Sequence, residues 1–290
     1  PYSCVYCQVG RTTKLEITRQ EFYPLSQVLD EVGTKIAETT KAGGTIDFLS
    51  LVPDGEPTLD IHLSSLIEGL KPFGIPIAVI SNASLIDGGE VQDALMQADW
   101  ISLKVDALTE TDWRRINRPY RRLSLTSILT GILNFRGKFQ GKLVTETMLI
   151  AGINDSESAI HNLAAYLLEL QPFKAFLSIP TRPPAETWVK TPDAGSFQKS
   201  LAIIAQNITF AELLFESDDA DFRSTGNLVE DILGITAVHP MREEALRQMV
   251  ARSGATWRIV EDLLASKKIT CIHYREERYY LRYIDGITTR

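Results

Sequence analysis

Apolar residues along the first two thirds of the chain switch repeatedly between two spacings. Short continuous apolar runs at residues 46–52, 77–80, 100–105, 143–150 and 175–179 have the length and composition of buried strands. Between them, residues 25–42, 63–70, 89–98, 109–117, 125–135 and 156–170 place apolar side chains at helical spacing, as in Leu25, Val28, Leu29, Val32 and Ile36. Residues 12–18 read as a loop or a short strand. Strands alternating with helices in this way predict right-handed βαβ units and a parallel sheet. Most of the strand runs end in small or polar residues: Pro53 to Glu56, then Ser81 and Asn82, Asp106, Gly152 to Asp155, and Pro180 to Arg182. In a parallel barrel those strand ends make one face, where active sites lie. Any βα turn also favours Gly, Asn, Asp and Pro, so one such turn alone carries no function.

The last quarter has another rhythm. Residues 226–233 read as a helix, 235–238 as a short strand, 242–252 and 257–266 as helices, and 269–274 and 278–283 as a hairpin joined by Arg275, Glu276 and Glu277. Helix, strand, helix, helix, hairpin is the order of a winged helix–turn–helix, with Ala255 and Thr256 as turn and N-cap. Glu216, Asp218, Asp219 and Asp221 mark an exposed acidic linker. The expected division is a partial barrel over 1–215, a linker over 216–225 and a small domain over 226–290.

With 290 residues the chain has room for one large domain and a small one. No apolar run approaches the roughly 18–20 residues of a membrane span. The net charge is −7, yet residues 241–290 hold 10 Lys+Arg against 7 Asp+Glu. The acidic bulk argues against a general nucleic-acid coat, and the mildly basic tail leaves room for a local contact. Three cysteines build no disulfide framework, and a reducing cytoplasmic location is expected.

Two of those cysteines, Cys4 and Cys7, stand in the first eight residues at C-x2-C spacing, with Tyr6 just before the second. Such a pair is half a zinc site, a thioredoxin-like redox pair, or two ligands of an iron–sulfur cluster. Residue 1 is Pro, so the chain reads as a fragment; a Cys directly before Pro1 would complete C-x3-C-x2-C, three ligands of a [4Fe–4S] cluster with one iron open.

The octet resembles the cluster loop of the radical S-adenosylmethionine (SAM) superfamily, and further strings follow in that family's order. Gly55, Glu56, Pro57, Thr58 and Leu59 resemble its SAM-amino motif, with Asp54 in place of the first Gly. A Gly lets backbone approach and a carboxylate pairs with an ammonium. The resemblance implies a partial (β/α)6 TIM-type barrel whose first strand is the cluster-loop region, and a [4Fe–4S] cluster and SAM as cofactors. It also implies metal ligation by Cys4 and Cys7. Tyr6 would border adenine, Ser81 and Asn82 would contact the ribose, and Lys104 would meet the SAM carboxylate. Asp106 would touch ribose or substrate, and Ile150 and Gly152 would pack against adenine within the string Met148 to Asp155. The implied reaction is reductive cleavage of SAM to a 5′-deoxyadenosyl radical that takes hydrogen from a substrate, with electrons from a donor of the flavodoxin or ferredoxin type.

Cys7 to Thr12, Asn117 to Pro119 and Arg182 to Glu186 look like the Fe–S oxidoreductase group related to wyosine-type tRNA-modifying enzymes. RNA or tRNA is therefore one candidate substrate. The wyosine enzymes carry a second cluster, and Cys271, alone in a hairpin strand, cannot build one. His62, His161, His239 and His273 form no metal spacing. Arg114, Arg115, Arg118, Arg121 and Arg122 read as a solvated face or as a phosphate-contacting rim. Two other readings compete: a radical SAM enzyme that modifies or activates a protein docked on the small domain, and a DNA-binding regulator whose cluster senses redox state.

Overall fold

The computed structural model describes residues 1–53, 55–214, 226–238, 240–274 and 277–283. The first part contains α1 (Leu25–Lys41), β1 (Leu49–Leu51), α2 (Leu63–Leu70), β2 (Ile77–Ser81), α3 (Gly89–Leu95), β3 (Trp100–Lys104), α4 (Glu110–Asn117), α5 (Leu125–Arg136), β4 (Lys142–Met148), α6 (Glu157–Leu170), β5 (Lys174–Ser178), α7 (Ala194–Asn207) and β6 (Ala211–Leu213). The six strands pair in parallel in the order β1-β2-β3-β4-β5-β6. Each strand is laid beside its predecessor and the order never reverses. Right-handed crossovers therefore put the helices on one side, and the sheet curls as a partial barrel.

The side-chain alternation follows from that curl. Ile101, Leu103, Leu143, Ala175 and Leu177 point at the helices and join the main core. Ser102, Lys104, Val144 and Glu146 occupy the alternate positions, which face the interior of the curl. At the N-terminal strand ends Trp100 packs edge-on against both Phe48 and Phe173, with centroids 5.9 Å apart in each pair. Helix starts are set by caps: Thr109, Ser124, Ser156 and Asp193 each accept a backbone N–H of the first turn.

Several expectations need correction. The cluster-loop region forms no strand; residues 12–18, read as a loop or a short strand, are a loop, and an isolated bridge of Gln20 to Asp60 follows them. The expected strand over 46–52 shrinks to Leu49–Leu51, because the edge strand pairs only with β2. The sixth strand is instead Ala211–Leu213, a segment to which the sequence reading assigned no element.

The remainder contains α8 (Leu228–Val238), β7 (Met241–Arg242), α9 (Glu243–Arg252), α10 (Arg258–Ala265), β8 (Ile269–Tyr274) and β9 (Glu277–Arg282). Its three strands are ordered β7-β9-β8, all antiparallel. A second apolar cluster, including Ile232, Leu246, Met249, Val260 and Tyr280, holds it together. Residues 235–238 continue α8 rather than forming a strand, and Thr236 donates its hydroxyl back to the Ile232 carbonyl at 2.7 Å. A four-residue apolar run is ambiguous in sequence; here it extends an apolar helical face. Thr256 gives no side-chain cap to α10. The acidic segment over 215–225 and the hairpin residues Arg275 and Glu276 lie outside the described residues. Among the described residues no helix is long and apolar enough to cross a membrane.

Candidate functional site

The loop carrying Cys4 and Cys7 is fixed by neighbours on both sides. Cys7 donates its N–H to the Cys4 carbonyl at 3.1 Å, closing a tight turn, and Gly10 follows at φ 104°. Ser3 and Val5 donate their N–H groups to the carbonyls of Asn117 and Ile116, both at 2.9 Å. Those carbonyls end α4 and have no partner within the helix, so the helix terminus and the loop satisfy each other. On the far side Glu186 donates its N–H to the Val5 carbonyl at 3.0 Å. Trp113 anchors Tyr2 with an indole N–H to phenol bond of 3.1 Å.

Asp106, just beyond β3, joins this loop to the next strand. Its Oδ2 accepts from the Tyr6 hydroxyl at 2.5 Å and from Asn117 Nδ2 at 2.7 Å. Its Oδ1 accepts the Met148 N–H at 2.9 Å. Its backbone carbonyl accepts Asn154 Nδ2 at 2.7 Å, while Asn154 Oδ1 accepts the Ile150 N–H at 2.7 Å. Asn117 Nδ2 also lies 3.5 Å from Cys4 Sγ. Burial first, and Asp106 second, push the Cys4 thiol up to about 12. Burial and then Asp106 also keep the Tyr6 phenol protonated well above its usual range, so it acts as a donor.

Glu56 is the second node. Its Oε1 accepts from the Thr58 N–H at 3.1 Å, the Thr58 hydroxyl at 2.6 Å and the Ser81 hydroxyl at 2.7 Å. Its Oε2 accepts the Asn82 N–H at 2.7 Å. The carboxyl is only 4% exposed. Burial raises its pKa, and the four donors pull the other way. Pro57 opens the short 3-10 turn Pro57–Leu59 with its φ preset, where it needs no N–H. Ala83 follows at φ 61°, and Arg118 after Asn117 at φ 44°. Two of the four non-Gly residues with positive φ among the described residues therefore flank the site, a form of strain that clusters at functional regions.

Lys104 and Glu146 are register partners on β3 and β4 and form an ion pair inside the curl; Ser102 donates to Glu146 Oε1 at 2.7 Å. Burial works against the lysine's charge, but Glu146 and then Asp106 outweigh it and hold its pKa above the usual value. Burial likewise opposes the Glu146 charge, and Lys104 outweighs it and lowers that carboxyl. The sequence reading missed Glu146. The signal was present: a carboxylate between Thr145 and Thr147 in a strand that is otherwise buried.

Cys4, Cys7, Tyr6, Glu56, Ser81, Asn82, Lys104 and Asp106 thus gather at the C-terminal ends of β1 to β3 and the loop over them. Gly55 is exposed, and a Cβ there would meet nothing within 4 Å, so the protein itself does not require glycine; Asp54 lies outside the described residues. Gly152 has φ 69° and donates its N–H to Asp155 Oδ1 at 2.8 Å. Ile150 is fully buried in the main core. Glu186 also emerges: buried, it accepts from Arg11 Nη2 at 2.9 Å and from Arg118 at 2.5 Å, tying both flanks of the loop together. Among the described residues no group of three or more His, Cys, Asp or Glu is placed to hold a metal.

The model for the Radical SAM superfamily matches residues 1–164 of the chain. The chain belongs to this superfamily. It is 40% identical over 285 residues to UPF0026 protein MJ1312 of Methanocaldococcus jannaschii, an alignment covering 98% of this chain and 88% of that protein. Among solved structures it is similar to a radical SAM methyltransferase from Sphaerobacter thermophilus, with TM-score 0.56 and 16% identity over 76% of this chain and 64% of the other. It is also similar to Streptococcus suis SuiB bound to S-adenosylmethionine, with TM-score 0.55 and 13% identity over 74% of this chain and 48% of the other. The chain thus spans about half and just under two thirds of these two structures, and at such identities the likeness is one of fold.

Radical SAM enzymes use a [4Fe–4S] cluster and SAM and need an electron donor. The residues present fit both groups as far as they go. Two thiols one turn apart have the donor chemistry for iron. Cys4, held neutral beside a carboxylate, is a poor free thiolate, and a bound metal ion would reverse that. Beside them stand a buried carboxylate and a charged lysine, the complementary groups for an α-ammonium and an α-carboxylate.

Proposed function

We propose that Cys4 and Cys7 ligate two irons of the cluster, and that the strand-end residues beside them bind SAM for radical chemistry on a substrate held inside the curl. When bound, the two cofactors supply a 5′-deoxyadenosyl radical by one-electron cleavage of the sulfonium S–C5′ bond, and that radical removes a hydrogen atom from the substrate. Glu56, preorganised by four donors, takes the SAM ammonium on Oε2, which has a lone pair to spare. Ser81 and Asn82 hold Glu56 and border the ribose. Asp106, acting through Tyr6 and Asn117, fixes the cluster loop against the turn containing Ile150 and Gly152, whose backbone borders adenine. Lys104 keeps its charge in the interior through Glu146 and presents it to the carboxylate of SAM or of the substrate. Positioning reacting groups in a dry interior is the protein's own share of such catalysis.

The observation that carries this reading is the Asp106 node, which binds the cysteine loop, β4 and Asn154 into one unit. A bare redox or zinc pair has no use for it. The domain beyond residue 226 reads as a winged helix that docks substrate or partner, and RNA, tRNA included, is the first substrate class to test. The test is anaerobic reconstitution with iron and sulfide followed by electron paramagnetic resonance of the reduced protein. We expect a cluster signal that changes when SAM is added. A reconstituted, reduced protein whose signal ignores saturating SAM would overturn the reading.

A further inference from the structure

We propose that Asn117 tunes the iron–sulfur cluster: its side-chain amide donates to Cys4 Sγ and makes the bound cluster easier to reduce, while the Asp106 carboxylate that orients the amide makes it harder. The inference rests on the reading above, in which Cys4 ligates iron, and adds a positioning residue whose effect has a sign. Its first support is the way α4 ends. Asn117 is the last residue of that helix and is 2% exposed. The Asn117 and Ile116 carbonyls accept the N–H groups of Ser3 and Val5, so Cys4 is held between two backbone bonds to the helix end. Arg118 leaves the helix at φ 44° and binds Glu186, which donates its N–H to the Val5 carbonyl. Pro119 brings no N–H, and Tyr120 donates to the Pro1 carbonyl at 2.7 Å. The string Asn117 to Pro119 thus brackets Cys4, and the Asn117 side chain reaches its sulfur.

Orientation of the amide is the second support. Asn117 Nδ2 lies 2.7 Å from Asp106 Oδ2 and 3.5 Å from Cys4 Sγ. Asp106 also takes the Tyr6 hydroxyl on Oδ2 and the Met148 N–H on Oδ1, so it acts as an acceptor throughout and faces the NH2 end of the amide. That nitrogen carries two hydrogens, enough for one to each partner. A hydrogen bond to a ligating thiolate stabilises negative charge on a cluster, and reduction adds negative charge. The bond therefore favours the reduced form, and a carboxylate close by opposes it. The same signs act on the bare thiol, where burial and then Asp106 work against a negative sulfur and the Asn117 bond works for it. Ending the helix needs none of this, because the carbonyls and not the side chain hold Ser3 and Val5.

The test is a redox titration of the reconstituted protein without SAM, followed by electron paramagnetic resonance, on wild type and Asn117→Val. Valine removes the donor and fills much of its space. At matched iron content we expect about tenfold less reduced cluster at a fixed potential, a midpoint lower by about 59 mV for a one-electron couple. Asn117→Ser keeps a shorter donor and should move the midpoint the same way by a smaller factor, which carries the test if the valine variant misfolds. Asp106→Asn removes the opposing charge and should raise the midpoint. The sign separates tuning from mere support of the loop. A loosened loop admits water, and solvent around a cluster favours the more charged, reduced form. Support alone therefore lowers iron content and leaves the midpoint unchanged or raised. An iron-loaded Asn117→Val or Asn117→Ser protein with its midpoint unchanged or raised would overturn the inference. Wild-type protein that takes up no iron fails earlier, at the reading of Cys4 and Cys7 as ligands.

Discussion

Replacing Glu56 with Gln keeps the shape of the side chain and removes its charge. In the native structure one oxygen takes three donors and the other takes the Asn82 N–H. An amide has a single acceptor oxygen. Placed to serve the group of three, it turns its NH2 toward the Asn82 N–H and leaves that buried donor unsatisfied, at a cost of about 1–3 kcal/mol. The three surviving bonds drop from charge-assisted to neutral, a further loss partly offset because no carboxylate is now buried. The net expectation is a destabilisation of about 2 kcal/mol, read from urea denaturation monitored by fluorescence. SAM affinity, read by calorimetry on the holoprotein, should weaken by about tenfold or more, the loss of one ion-assisted contact. Serine at Thr58 is the useful comparison, because it keeps the hydroxyl donor and should leave SAM affinity intact. If E56Q unfolds like wild type and binds SAM equally well, the account of Glu56 as a preorganised ammonium site is wrong.

Three further outcomes follow from local geometry. A Cβ at Gly141 would lie 2.5 Å from Phe139 Cζ and 2.7 Å from the Asp99 carbonyl, which also accepts the Lys142 N–H, so Gly141→Ala should cost about 2 kcal/mol or more by thermal melting; a neutral result would contradict the packing there. Gln171 ends α6 at φ 48°, so Gln171→Gly should gain about 0.5 kcal/mol despite losing the side-chain bond to Leu168, and a clear loss in a denaturant titration would refute the strain argument. Glu186, buried between Arg11 and Arg118, has its carboxyl lowered from 4.5: burial acts to raise it and the two arginines prevail. Its contribution to stability is therefore present above that value and lost as pH falls through the lower folded one, so Glu186→Gln should flatten the acid limb of the stability curve; an unchanged limb would refute the clamp.

The parallel α/β order was legible because period and length agreed in the long elements: α2 and β8 begin and end where the apolar pattern does. Shorter pieces were not. Leu49–Leu51 and Ala211–Leu213 are edge strands with one partner each, and three residues leave no period to detect. Residues 235–238 lost to the helix they extend. At the candidate site, Cys4, Tyr6, Glu56, Ser81, Asn82 and Asp106 were singled out because each sits in a recognisable string or at a strand end. Glu146 and the Arg11–Glu186–Arg118 clamp were missed because their meaning depends on partners 42 to 175 positions away. Ile150 was given an adenine contact, and its side chain is fully buried in the main core. Only its backbone, held by Asn154, remains available to a ligand at that strand end.

The central claim is tested most directly by counting 5′-deoxyadenosine released from SAM by the anaerobically reconstituted protein. The account predicts about four irons per chain, release that requires dithionite, and loss of both in Cys4→Ser and Cys7→Ser. A protein that binds one zinc and no iron under those conditions would contradict it. So would an iron-loaded protein that releases no 5′-deoxyadenosine under full reduction.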